Sequence, residues 1–120
     1  MFENNDVLIP KEYCDKLATA TCHILEYAGT LGTEINITFN LQQPTVLGRF
    51  ANFLSPNATP RHDRLTITAL TQNKPESKTA LGQLFTWIDS ECDELNRIER
   101  VSLRPENNGL YIGYCEYNIL

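Results

Sequence analysis

The chain has 120 residues with 42% hydrophobic and 21% charged side chains and a net charge of −5, the make-up of one soluble globular domain. That balance does not favour a sequence-independent hold on nucleic acid, which requires a positive footprint, and is compatible with a protein partner that has a basic surface. No stretch approaches the roughly 20 apolar residues of a membrane span.

The opening residues "MFENNDVLIP" lack the basic and apolar regions of a signal peptide, so a cytoplasmic protein is the expectation. In a reducing compartment Cys14, Cys22, Cys92 and Cys115 are expected as free, mostly buried thiols. None forms a C-x-x-C pair, and Cys22 and His23 point in different directions on a helix, so no metal site is expected.

In chain order, the first element is a helix over 11–28. Pro10 suits its first turn, Tyr13, Leu17, Ala20, Ile24 and Tyr27 recur at spacings of three and four, and Gly29 is a natural stop. A strand follows over 33–41, where Ile35, Ile37, Phe39 and Leu41 alternate with polar residues. Val46, Leu47, Phe50, Phe53 and Leu54 predict a short helix over 45–54, weakened by Gly48. The prolines of "SPNATPRHD" predict a loop over 55–63.

A second strand is expected over 64–71, with Leu65, Ile67 and Ala69 alternating with threonines. A second long helix is expected over 76–96, with Leu81, Leu84, Ile88, Cys92 and Leu95 on its apolar face. Two strands over 99–104 and 109–119 close the chain, joined by "PENNG", whose Asn108-Gly109 step favours a tight reversal. The order α-β-α-β-α-β-β, with strands wet on one face, predicts a single two-layer α+β domain. Its sheet is mostly antiparallel, of about four strands, with helices on one face only.

The stretch "NKPESKTALGQLF", 73–85, has a Lys-Thr pair between a strand and a helix. A P-loop needs glycines whose amides turn around phosphate; here none precedes Lys78, and Pro75 removes a donor. The pyrophosphate loop of acyl-CoA-dependent N-acetyltransferases shares the context but not the closely spaced glycines. The residues fit a helix start, with Asn73 or Ser77 as N-cap, Pro75 in the first turn and Glu76 complementing the dipole.

Catalytic candidates are few. His62 in "PRHDR", beside Arg61 and Arg64, is the best placed, either to take an anion at loop 60–64 or to act as a base oriented by Asp63. The clearer signal is acidic. Asp89, Glu91, Asp93 and Glu94 crowd the end of the second long helix, where the macrodipole is negative and favours cations. Asp89 and Asp93, four apart, repel, so stability does not account for the cluster. Trp87 falls about a quarter-turn from the centre of the apolar face, where an aromatic can anchor an interface.

The leading expectation is therefore a protein-binding module without a cofactor or a metal. It would be an inhibitor, an immunity-type or regulatory protein, or a phage or mobile-element anti-defence protein. Its contact surface is Trp87 with Asp89, Glu91, Asp93 and Glu94, and secondarily Arg61, His62 and Arg64. The alternatives are a small acetyltransferase-like enzyme binding acyl-CoA at loop 72–79, and a homo-oligomer paired through the terminal strand Tyr111–Leu120.

Overall fold

The computed structural model describes residues 11–42 and 64–119; the expected helix 45–54 and loop 55–63, with Arg61 and His62, lie outside the described residues. Helix α1 spans Lys11–Gly29, strand β1 Asn36–Gln42, β2 Arg64–Gln72, helix α2 Pro75–Glu91, β3 Leu95–Arg97, β4 Ser102–Glu106 and β5 Leu110–Ile119. The strands form one antiparallel sheet in the order β1-β2-β5, with β3 and β4 following one another along the far side of β5. The fold is α+β.

The period-two alternation decides which face is buried. Phe39 stands opposite Ile67, and Ile67 opposite Cys115; Leu65 stands opposite Tyr117. These side chains share one face and join Ala20 and Ile24 of α1 and Leu81, Leu84, Phe85 and Ile88 of α2 in a single core. Asn36, Thr38 and Asn40 point the other way and are exposed.

Gly113 of β5 sits under α2. A Cβ there would lie 2.6 Å from Phe85 Cε2, 3.0 Å from Leu103 Cδ2 and 3.2 Å from Leu81 Cδ2. Only a residue without a Cβ lets helix and sheet approach this closely.

Several boundaries differ from the expected ones, for physical reasons. Helix α2 ends at Glu91, not at 96: Cys92 leaves helical geometry at φ −93° and ψ 88°, its N–H still bonded to Ile88 O. Three more helical residues would have added Asp93 and Glu94 to a turn with no cation. The strand expected at 99–104 is split instead. Leu95–Arg97 pairs with Tyr117–Ile119, Ser102–Glu106 pairs with Leu110–Tyr114, and the chain bulges between them.

Within that bulge the Ile98 N–H reaches Glu116 O and the Cys115 thiol donates to Glu99 O at 3.4 Å. The N-cap of α2 is Lys74, which makes no side-chain capping bond, with Pro75 opening the helix. The Ser77 hydroxyl bonds the Thr33 hydroxyl at 3.0 Å instead. The reversal at Asn108-Gly109 is as expected, both residues taking positive φ, 66° and 73°.

Strand β5 is internal. One side is paired with β2 and the other with β3 and β4. The free edge that a dimer through Tyr111–Leu120 would use is therefore taken, and among the described residues the outer strands are β1 on one side and β3–β4 on the other.

Gly113→Ala should destabilise the fold by about 1–3 kcal/mol, because the Phe85 ring has to move out of a packed core. Thermal or urea unfolding measures this directly.

Candidate partner-binding groove

A groove of about 690 Å³ runs between α2 and the β3–β4 side of the sheet. Its α2 wall carries Gly82, Thr86, Trp87 and Asp89; its other wall carries Arg97 and Leu103. Phe85, buried to 2% exposure, lines its floor, held there by its approach to Gly113. Leu103 is 38% exposed, which is high for a leucine next to a packed core.

Trp87 is half-buried and stacks on Tyr27 of α1, with ring centroids 4.6 Å apart and planes 7° from parallel. A pair like this contributes about 1 kcal/mol beyond its burial and joins the two helices. The boundary position read from the sequence is thus occupied by a ring with one face committed to Tyr27. The rest of the side chain lines the groove.

Asp89 is committed as well. Its Oδ2 lies 3.1 Å from Arg97 Nη1 and its Oδ1 accepts from the Tyr117 hydroxyl at 3.5 Å. Both ionic side chains are partly exposed, so the pair contributes no more than about 1 kcal/mol. Its effect is positional: it ties the last turn of α2 to β3 and β5. Glu91 and Asp93 are exposed and Glu94 is half-buried, so they form the acidic end of the helix without Asp89.

Arg64 does not join this group. It lies on the opposite face of the sheet, 3.4 Å from Glu116, which also accepts the Tyr114 hydroxyl at 2.7 Å. That bond to the carboxylate holds the Tyr114 hydroxyl above its ordinary pKa. Around loop 72–79, the amides of Asn73, Lys74 and Lys78 donate to the carbonyls of Gly109, Gln72 and Lys74. The Lys78 ammonium stands 5.5 Å from the Tyr111 ring centre. These groups have partners within the chain, as the start of a helix requires.

The thiols divide evenly. Cys14 and Cys22 are exposed on α1, against the expectation of mostly buried cysteines, while Cys92 and Cys115 are buried. Burial pushes the Cys92 thiol up to about 11, helped by the carboxylates of Glu94, Asp93 and Glu91. Burial also raises Cys115 and, still further, the Tyr117 hydroxyl. Groups that hold their protons this firmly make poor nucleophiles at neutral pH. Among the described residues no cluster of His, Cys, Asp and Glu could hold a metal ion, and no helix is long and apolar enough to cross a membrane.

Sequence reasoning missed Arg97 and Leu103 as lining residues, because the split edge that aims them was not foreseen. It also passed over Gly82. A Cβ built there meets nothing within 4 Å, so packing does not require glycine at this helical position. In a helix interior glycine costs about 1 kcal/mol relative to alanine. The signal was legible: a glycine five residues before Trp87 on the same helix.

Compared with known proteins, the chain matches no family model, and no curated protein or solved structure is significantly similar to it.

The raised Cys92 pKa makes a pH-dependent prediction. The unfolded thiol ionises near 9.0 and the folded one near 11, so its contribution to stability is complete below pH 9 and is lost as pH rises to about 11. Unfolding titrations of Cys92→Ala and of the unmutated chain across that window should converge as pH rises. Thiol labelling at neutral pH should modify Cys14 and Cys22 first, with Cys92 and Cys115 reacting only as the chain unfolds.

Proposed function

We propose that this protein is a small protein-binding module that acts by surface occlusion, as an inhibitor, an immunity-type protein or a regulator. The groove between α2 and the β3–β4 side receives a side chain or loop of the partner. The carboxylates of Glu91, Asp93 and Glu94 meet a basic part of the partner's surface.

The observation that carries this reading is Gly82. It weakens the middle of a helix that the core depends on, while its Cβ position faces open space in the groove wall. A residue that reduces stability and leaves a groove open is accounted for by what the groove admits. The surroundings fit an anchor pocket: a buried Phe85 floor, an exposed Leu103 and the edge of Trp87. Charge supports the choice of partner. From residue 83 to residue 106 the chain has six carboxylates against three arginines, which favours encounter with a positive surface.

Two kinds of variant separate binding from folding. Gly82→Ala should raise stability by about 1 kcal/mol through helix propensity alone. Gly82→Leu should keep the fold, project into the groove and abolish capture of the specific partner that the unmutated protein retains from its native host. Glu91→Lys with Asp93→Lys should weaken that capture, most at low ionic strength, with the melting temperature unchanged. Asp89 is left intact because reversing its charge would also break its contacts with Arg97 and Tyr117. If partner capture is undiminished in Gly82→Leu and in the double lysine variant, both being folded, the reading is wrong.

A further inference from the structure

The opposite side of the molecule carries a second surface, independent of the groove. Among the described residues nothing pairs with the outer edge of β1. A bare strand edge is a row of unmatched N–H and C=O groups, and proteins ordinarily blunt such edges with charge, proline or a bulge. The β3–β4 side shows these devices: a bulge, Arg104, Pro105 and Glu106. β1 has none. Asn36–Gln42 contains no charged residue and no proline, and it pairs with β2 residue for residue over its whole length.

Among the described residues, the apolar surface beside that edge is also uncovered. Leu25 of α1 is 51% exposed, the highest value among the exposed large hydrophobic residues that the structure describes. It borders a groove of about 380 Å³ between α1 and the sheet, lined by Leu17, Phe39, Leu41 and Leu65. Unlike the first groove, this one has no charged side chain among the described residues of its lining. A basic partner finds nothing there to recognise.

We propose that β1 pairs antiparallel with β1 of a second copy of this chain. The assembly is a two-fold dimer in which the two sheets join into one and the two α1 helices face each other across the seam. The strand is suited to meeting itself. With Phe39 at its centre, Thr38 of one copy stands opposite Asn40 of the other, so polar residues face polar ones and apolar residues face apolar ones. No like charges oppose each other along the seam, although each chain has a net charge of −5. The exposed Leu25 residues approach over the same edge, and both partners use the same patch, as a closed two-fold contact requires.

The test uses the full chain and light scattering coupled to gel filtration over a dilution series. The unmutated protein should run at twice the chain mass and dissociate on dilution. Thr38 and Asn40 are exposed on the wet face of β1, so lysine at both should leave the fold intact while placing like charges opposite each other. The dimer dissociation constant should rise by about tenfold or more. Thr38→Glu with Asn40→Glu should behave alike, and mixing the two variants should restore dimers as heterodimers. Leu25→Glu, on the helix side of the seam, should weaken the dimer without touching the strand.

A monomer at every concentration overturns the proposal; if the β1 amides then exchange slowly, another segment of the chain covers the edge. A dimer insensitive to all three variants overturns it too, because another surface would be holding the copies together. Neither outcome bears on the groove, whose own variants lie on the far side of the sheet.

Discussion

The closeness of α2 to the sheet at Gly113 constrains much of the molecule. Phe85, Leu81 and Leu103 converge on the space that a Cβ would fill. That convergence seats α2 over β5, and α2 in turn carries α1 through the stacked rings of Trp87 and Tyr27. It also leaves Phe85 as the floor of the groove and Leu103 on its far wall. This close approach in the core and the shape of the candidate site therefore have one origin, a residue defined by having no side chain.

How much of this was legible depends on how local the cause is. The alternation in β1 and β2 is a property of successive residues, and their boundaries fall within a few residues of those read from the chain. The apolar face of α2 was readable for the same reason, down to Leu84 and Ile88. The split of the last edge into β3 and β4 was not. It depends on which residues of β5 stand opposite Leu95 and Ser102, a non-local matter of register. The early end of α2 is half legible: the crowding of Asp89, Asp93 and Glu94 is unfavourable in a helix, and in the fold it coincides with the end of the helix at Glu91.

The site shows the same division. Trp87 and the acidic residues stand out in the sequence by type, and three carboxylates do lie exposed or half-exposed at the end of α2. Of their partners, Arg97 is legible as a nearby cation that offsets the cluster, whereas Tyr117 is not. Arg97 holds Asp89 from another element, and Tyr117 reaches it from the central strand, so a residue that looked free for recognition belongs partly to the scaffold. Arg64, grouped in the sequence with Arg61 and His62 as a second, basic contact surface, is carried to the opposite face because β2 turns successive side chains to alternate sides.

The central place of β5 has a kinetic side. It is the strand that every other part of the sheet except β1 is paired with, yet it is translated after all of them. Before it emerges, β2 has only β1 to pair with, and α2 has no surface on which to set Phe85. Closing the sheet joins residues as distant as Arg64 and Asn118, a loop whose entropy must be overcome before its contacts count. Such a chain gains little from folding piece by piece during synthesis. It should pass from open to complete in one cooperative step, with the last strand acting as the trigger.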